Sequence, residues 1–191
     1  MVGQTPGAGL HNDGVTDLDA LTLKGPPEFT IRRASIEDAP GIVAVLQHVT
    51  AERVYSAIDR AWTVDEQRLY IESRSVREAT YVAVDRSGQV VGYQCLDLHA
   101  PLLTTMAHVG ELGTWLKSEW RRRGVGHALF RETAAFARSN GYRKLVIQVR
   151  ASNTAGRSFY AGLGFVQCGR LTRQVEIDGQ EDDEIIMELF L

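Results

Sequence analysis

One segment near the middle of the chain restricts its possible folds more than any other. Residues 112–129 read LGTWLKSEWRRRGVGHAL, a predicted strand, a short basic loop with two glycines and the start of a helix. In this arrangement the free amides of the first helical turn point to one place, where the helix dipole adds partial positive charge. Gly124 and Gly126 lack a Cβ, so the backbone can turn sharply and approach a bound anion closely. The segment therefore predicts an α/β unit with a phosphate site at the turn.

Two familiar phosphate-binding motifs do not match this loop. A P-loop needs Lys and then Ser or Thr after its last glycine, but His127 and Ala128 follow Gly126. A dinucleotide-binding turn needs Gly or Ala three positions past the second glycine, where Leu129 stands. The loop excludes an ATPase and disfavours a Rossmann dehydrogenase. A basic turn without any ligand is the alternative for this loop taken alone.

The composition fits one soluble domain. The chain has 191 residues, of which 44% are hydrophobic and 24% charged. Its formal net charge of -3 provides no overall basic field, so we expect no nucleic-acid partner. No run approaches the roughly 18 apolar residues of a membrane span, and no signal-peptide pattern is present. Cys95 and Cys168 fit neither a zinc site nor a disulfide framework, so we expect no metal, no membrane and a reducing, cytoplasmic setting.

Periodicity and turn residues predict the element order β-α-α-β-β-β-α-β-α-β-β within residues 28–191. Ser35 and Thr63 each cap a predicted helix, and Glu66 completes a capping box with Thr63. This order predicts an α/β or α+β domain with a mixed sheet. Residues 1–27 have no sustained period, and we expect a disordered tail there, with docking of its leucines as a short added element being the alternative.

Two motifs together resemble the GNAT superfamily of N-acetyltransferases. RRRGVG at 121–126 is similar to its coenzyme A motif, R/Q-x-x-G-x-G/A. VRASN at 149–153 and SFYAGLGF at 158–165 resemble its second motif, V-x-x-x-N followed by a helix ending in FY-x-x-x-GF. Two motifs in the right order are more specific than either alone, and the resemblance covers about residues 29–191. It implies a GNAT-like central sheet, mixed but mostly antiparallel, with splayed central strands and about four flanking helices.

The resemblance implies acetyl-CoA as co-substrate. The amides from Arg122 to His127 would hold its pyrophosphate, and the strand at 114–116 would pair through its backbone with the pantetheine arm. Asn153 would hydrogen-bond that arm, although it is also a plain helix N-cap, and both roles are compatible. The implied cofactor-binding residues are Thr114, Trp115, Leu116, Arg121, Arg122, Arg123, Gly124, Val125, Gly126, His127, Asn153 and Ser158.

Gly156 departs from the family pattern, which usually has Ala at this helical position. Gly inside a helix costs about 1 kcal/mol relative to Ala. The two explanations are a locally looser helix and a close approach to the backbone at this point.

Transfer of an acyl group from a thioester to an amine needs a deprotonated amine, a stabilised oxyanion and a proton for the leaving thiolate. An alkylamine has a pKa of about 10.4, so a base must take its proton at neutral pH. Glu111 looks like an acid position used in several branches of the superfamily and is the candidate base, with a substrate-orienting or salt-bridged carboxylate as an equal alternative. Strand alternation predicts that Glu111, Gly113 and Trp115 lie on one face of the strand. A backbone amide near Trp115 or Leu116 is the candidate oxyanion donor. Weaker candidates for the base are His108, His99 and Asp97.

Tyr160 matches the family tyrosine that lies near the acetyl-CoA sulfur, and it is the candidate general acid. A phenol with a pKa of about 10 stays protonated at neutral pH and can supply a proton to a leaving thiolate. The alternative is a tyrosine that only packs in the core. Helical phase, however, predicts that Phe159 faces the core more readily than Tyr160 does.

The predicted function is transfer of an acetyl group to a primary amine of a small molecule or a peptide N-terminus by direct attack. A non-catalytic, coenzyme A-binding regulatory module is the alternative, because a fold alone does not establish activity. The sequence leaves the oligomeric state open, with a homodimer among the alternatives. Candidate side chains for a cationic acceptor, each with an ordinary surface or core role as its alternative, are Tyr55, Asp59, Trp62, Glu66 and Tyr70.

Overall fold

The computed structural model describes residues 28–191, so the predicted tail lies outside the described residues. The described chain folds into strands and α-helices in the predicted order. The strands are β1 (Phe29–Arg33), β2 (Ala79–Asp85), β3 (Val90–Leu98), β4 (Val109–Leu116), β5 (Lys144–Arg150), β6 (Val166–Ile177) and β7 (Gln180–Phe190). The helices are α1 (Ala39–Ala51), α2 (Val64–Glu72), α3 (Val125–Ser139) and α4 (Thr154–Gly162). No helix in this part of the chain combines the length and apolarity that a membrane span requires.

Local side-chain bonds set the start of α2. The Thr63 hydroxyl accepts a hydrogen bond from the Glu66 amide at 3.2 Å, and the Glu66 carboxylate accepts one from the Thr63 amide at 2.6 Å. This confirms the predicted capping box. At the other predicted cap, Ser35 precedes a single 3-10 turn, and α1 begins after it at Ala39.

One sheet contains all these strands, in the order β1-β2-β3-β4-β5-β7-β6. Every neighbouring pair is antiparallel except β4 and β5. Alternate side chains of β3 enter different cores: Tyr93 and Cys95 pack with α1, whereas Leu96 packs with α3 and α4. The helices therefore cover both faces of the sheet, and the predicted mixed, mostly antiparallel sheet is confirmed.

The parallel pair β4 and β5 holds together over only part of its length. The paired positions are Val109–Glu111 on β4 and Lys144–Val146 on β5. Further along, Leu116 still pairs with β3 and Arg150 still pairs with β7. The two central strands therefore separate past Glu111 while their outer neighbours keep them in the sheet. A cleft opens in the middle of the sheet, and after Glu111 no strand within residues 28–191 pairs with β4 on that side.

Candidate active site

The loop between β4 and α3 presents a row of free backbone amides. The Arg121 amide donates to the Ser118 carbonyl at 3.2 Å, and the Ala128 amide donates to the Gly124 carbonyl at 3.0 Å. Between these two bonds, the six amides from Arg122 to His127 donate no hydrogen bond to any residue in 28–191. Adjacent unpaired N–H groups at a helix N-terminus form a concave site for a phosphate group. The backbone at this turn therefore has the unpaired amides that an anion site needs, and the site itself stays a prediction.

The two glycines of this loop meet different steric demands. Gly124 has φ +81°, and a Cβ built on it would meet nothing within 4 Å. It allows the left-handed turn and leaves open space beside the free amides. A Cβ on Gly126 would lie 3.0 Å from the Phe159 ring. Gly126 therefore lets α3 approach α4, a packing role that the local sequence does not reveal.

Arg121 joins the loop to the end of α1. Its guanidinium pairs with the Glu52 carboxylate and donates to the Leu116 carbonyl at 3.0 Å. The same group lies over the Tyr55 ring, 4.1 Å from the ring centre. These contacts hold the Arg121 guanidinium beside α1, where it positions the loop.

The other two arginines differ in their partners. Arg123 pairs with Glu28 at 2.5 Å and lies over the Trp120 ring at 4.5 Å. Arg122 is exposed, has φ +61°, and forms no hydrogen bond or ion pair with another residue in 28–191. Of the three, Arg122 is the arginine whose charge is not already paired within the described chain.

Tyr160 lies under β4, where that strand has left β5. Its hydroxyl donates to Thr114 Oγ1 at 2.9 Å, and the Gln94 side-chain amide donates to the same oxygen at 2.7 Å. Burial raises the pKa of Tyr160 to about 12, against the smaller opposite effect of the Thr114 hydrogen bond. The phenol is therefore protonated at neutral pH and held in one orientation.

The expectation that Phe159 faces the core more than Tyr160 is wrong. Tyr160 is 7% exposed and packs on Phe165, whereas Phe159 is only partly buried. The reason is that α4 packs against two neighbours. Phe159 fills the seam with α3, where its ring contacts His127, and Tyr160 takes the position against the sheet.

Asn153 caps the N-terminus of α4 and connects this helix to the loop between α1 and α2. Its Oδ1 accepts from the Gly156 amide at 2.8 Å, which confirms the N-cap, and its Nδ2 donates to the Tyr55 carbonyl at 3.3 Å. A Cβ on Gly156 would collide with this side chain, at 2.6 Å from Nδ2. The departure from Ala at this position is therefore explained by a close approach, here of the Asn153 side chain. Ser158 is exposed on the same helix.

Glu111 stands where the cleft begins, as the last residue of β4 that pairs with β5. Its side chain is 39% exposed, and its Oε2 lies 3.1 Å from His99 Nδ1. Glu111 shares a face of β4 with Trp115, whose ring folds back over Gly113, and it lies opposite Asp97 on β3. The carboxylate therefore faces the side of the sheet covered by α1 and α2. For His108, another candidate base, the structure shows a backbone bond: its carbonyl accepts a hydrogen bond from the Arg143 amide at 2.9 Å.

The segment between α1 and α2 lies over this side of the cleft. Arg150 on β5 donates to the Arg53 carbonyl at 2.5 Å, and Trp115 Nε1 lies 3.5 Å from Ser56 Oγ. Two of the predicted acceptor residues, Trp62 and Tyr70, meet edge to face at 5.2 Å and line a cavity of about 190 Å³. Other predicted acceptor residues lie outside its lining: Tyr55, Asp59 and Glu66.

Asp97 belongs to this cavity and is already paired. The Tyr70 hydroxyl donates to its Oδ1 at 2.7 Å, and the Arg74 guanidinium forms an ion pair with it. Burial raises the pKa of Asp97, and the charges of Glu78 and Glu111 act in the same direction, against Tyr70 and Arg74. Asp97 is therefore a structural carboxylate as well as a wall of the cavity.

The sequence did not single out Gln67 or Tyr93, which also line this cavity. Gln67 follows the capping acid Glu66 and lies one helical turn before Tyr70. An amide in phase with the buried side of an amphipathic helix is the signal that points to it. Strand alternation predicts that Tyr93 lies on a buried face of β3, but it does not indicate a role in binding.

The chain is similar to known proteins in sequence and in fold. Residues 45–165 match the profile described as "Acetyltransferase (GNAT) family". The L-methionine sulfoximine/L-methionine sulfone acetyltransferase of Pseudomonas aeruginosa is 26% identical over 165 residues, which is 85% of this chain and 94% of that protein. The mycothiol acetyltransferase of Corynebacterium glutamicum is 35% identical over 152 residues, 77% of this chain and 50% of that protein. A solved phosphinothricin acetyltransferase from Sinorhizobium meliloti, in complex with AcCoA, has a TM-score of 0.79 at 21% identity, over 86% of this chain and 89% of that one. The last likeness concerns the fold alone.

Proposed function

Because the chain belongs to the acetyltransferase (GNAT) family, we propose that it binds acetyl-CoA along the cleft between β4 and β5 and acetylates a small primary amine there. It is an acetyl-CoA-dependent N-acetyltransferase, and relatives matched over most of its length are named as acetyltransferases. The observation that carries the proposed site is the row of six free amides directly beside the open edge of β4.

The described residues fit coenzyme A at both ends of this cleft. The amides from Arg122 to His127 would bind the pyrophosphate, with the unpaired guanidinium of Arg122 beside them. The unpaired backbone of β4 would bind the pantetheine arm as a strand would, through main-chain hydrogen bonds. A protein of the same fold is in complex with AcCoA, which agrees with this assignment. When bound, acetyl-CoA supplies the activated acetyl group.

Tyr160 is the proposed proton donor to the leaving thiolate. Its hydroxyl is buried, and its pKa of about 12 keeps the proton available at neutral pH. Thr114 and, behind it, Gln94 hold that hydroxyl next to the part of β4 that faces the cleft. A fixed donor at the site of developing charge needs little reorganisation during the reaction.

Glu111 is the proposed base for the incoming amine. It lies at the start of the cleft with a partly exposed carboxylate, and His99 holds its Oε2 at 3.1 Å. A carboxylate in this position can take a proton from the attacking nitrogen, directly or through one water. The same geometry also suits a group that orients the amine without taking its proton.

The non-catalytic alternative is not favoured, because relatives matched over more than four fifths of this chain are named as acetyltransferases. A small acceptor is preferred over a peptide because the cavity beside the cleft is small and lies under the segment between α1 and α2. We further propose a reducing, cytoplasmic setting, since Cys95 and Cys168 are both free thiols.

Thiol release from acetyl-CoA tests the proposed function. The panel comprises amino acids, polyamines, aminoglycosides and peptides with free N-termini, and mass spectrometry verifies one added acetyl group on the amine. We expect release with small amines and little with peptides. Coenzyme A binding without release from any acceptor would identify a binding module. Release that peptides stimulate most would overturn the small-molecule assignment.

A further inference from the structure

Four aromatic side chains line the cavity between α1, α2 and the middle of the sheet. Tyr93 and Trp115 stack with ring centres 4.8 Å apart on one side, and Trp62 and Tyr70 form the other. Its volume of about 190 Å³ holds about six water molecules at roughly 30 Å³ each. It therefore has room for an apolar group of similar size.

Gln67 brings an unpaired amide to this cavity. The residue is 1% exposed, and its Nε2 has no hydrogen-bond partner among the residues described. Leaving a buried amide donor unpaired costs about 1–3 kcal/mol. The Gln67 side chain lines the cavity while its Nε2 is itself buried, so an amide turned toward the cavity would pair with an acceptor oxygen inside it and remove this cost. Tyr93 has a second polar group on the lining, a hydroxyl without a hydrogen bond to the rest of residues 28–191.

The charges around the cavity favour a neutral occupant. Among the described residues that line it, Asp97 is the charged one, and Tyr70 and Arg74 already use its carboxylate. A cation in the cavity would find no carboxylate free to pair with it. An anion would lie beside Asp97 without a free cation on the lining. Burying an unpaired charge is far more costly than burying a neutral group with one hydrogen bond.

The cavity lies beside the proposed reaction centre. Asp97 on its wall is the cross-strand partner of Glu111, and the Trp115 ring reaches back along β4 over Gly113 toward Glu111. A molecule with its tail in the cavity would therefore present its other end near the start of the cleft. One acceptor molecule can therefore occupy both places, with its tail in the cavity and its amine at the start of the cleft.

We propose that this cavity binds the tail of the acceptor, and that the acceptor is a primary amine whose apolar chain ends in a neutral hydrogen-bond-accepting group such as a carboxamide or ester carbonyl. Gln67 Nε2 donates to that oxygen, and the aromatic rings cover the methylene groups. This inference rests on the proposed function, because it treats the amine as the acetyl acceptor. It deepens that function by excluding polyamines and amines with an acidic tail as preferred substrates.

A series of primary amines of equal length tests the substrate class. The members end in a methyl, a carboxamide, a carboxylate or an ammonium group, and kcat/KM is measured for each by thiol release. We expect the carboxamide to exceed the methyl compound by about 10- to 100-fold, because one hydrogen bond to a buried donor contributes about 1–3 kcal/mol. Preference for the ammonium or the carboxylate member would overturn the proposal.

Two variants make the test specific to Gln67. Gln67→Leu removes the amide at similar size and should bring the carboxamide and methyl members within about threefold of each other. Gln47→Leu makes the same change at an exposed position on α1 and should leave the preference as it is in the parent protein. Thermal unfolding of Gln67→Leu should occur at the same or a higher temperature, since the substitution removes an unpaired polar group. An undiminished carboxamide preference in folded Gln67→Leu would refute the role of this residue.

Binding measurements separate this inference from the proposed function. Calorimetry with the coenzyme A-loaded protein gives the affinity for each amine without any turnover. Gln67-dependent binding of the carboxamide without thiol release would contradict the proposed function and support the cavity assignment. Thiol release with no discrimination among the four tails would contradict the cavity assignment and leave the acetyltransfer intact.

Discussion

Gly124 offers a direct test of the phosphate site, since two substitutions of equal size differ there only in charge. Its φ of +81° is unfavourable for most side chains, but Asn and Asp adopt this left-handed region more readily than other residues. A Cβ at this position meets nothing within 4 Å, so both substitutions fit the space. Gly124→Asn therefore measures the cost of strain and size, and Gly124→Asp adds a carboxylate beside the six free amides.

The expected difference follows from Coulomb's law. A carboxylate about 5 Å from one phosphate charge, at an effective dielectric constant of about 20, is disfavoured by roughly 3 kcal/mol. This energy corresponds to an affinity for coenzyme A that is about 100-fold weaker in Gly124→Asp than in Gly124→Asn. Salt screens exposed charges, so the ratio should fall when the ionic strength rises from about 0.01 M to 1 M.

Calorimetric titration of coenzyme A into both variants measures this ratio, and thermal unfolding follows it independently. A ligand that binds only the folded protein raises the unfolding temperature, so the shift should persist in Gly124→Asn and largely disappear in Gly124→Asp. Equal affinities in the two variants would refute the reasoning, because the phosphates would then lie away from this loop. A ratio that does not change with salt would also contradict an electrostatic origin.

Three further predictions concern the chemistry and the stability. Glu111→Gln should lower turnover by about 100- to 10,000-fold at neutral pH, and the rate should recover as the pH approaches the pKa of the free amine. A rate that stays low at high pH would make Glu111 an orienting group. Tyr160→Phe should slow the chemical step by about tenfold or more with unchanged coenzyme A affinity, so parent-like turnover would remove Tyr160 as the acid. Burial would raise the pKa of Asp38, but its bonds to Arg32 and the Ser35 amide lower it overall. The stability from ionised Asp38 is therefore complete above about pH 4 and lost as the pH falls through the lowered pKa. Asp38→Asn should lower the free energy of unfolding by about 1 kcal/mol at neutral pH. Urea titrations should show that the difference in free energy of unfolding between the parent protein and the variant disappears in acid. A difference that does not change with pH would indicate a packing effect.

The features that local bonds create could be predicted from the sequence. The capping box of Thr63 and Glu66 spans four residues, and so its geometry follows from the residues themselves. The turn at Gly124 and the free amides on both sides of it depend on the same short range of chain. The order of helices and strands rests on periodicity within each segment, and the splayed centre of the sheet was expected only through the family resemblance.

What the sequence could not determine depends on contacts between distant parts of the chain. Arg121 belongs to a basic run, but its guanidinium pairs with Glu52, 69 residues away. Phase within α4 predicted Phe159 against the core, but the position of α3 reversed this preference in favour of Tyr160. Gln67 has the pattern of an ordinary helical residue, and only the packing of α2 over the sheet buries its amide in a cavity. The sequence thus determined the elements and the phosphate turn through bonds of short range, while the tertiary structure decided which side chains remain unpaired and face the space for an acceptor.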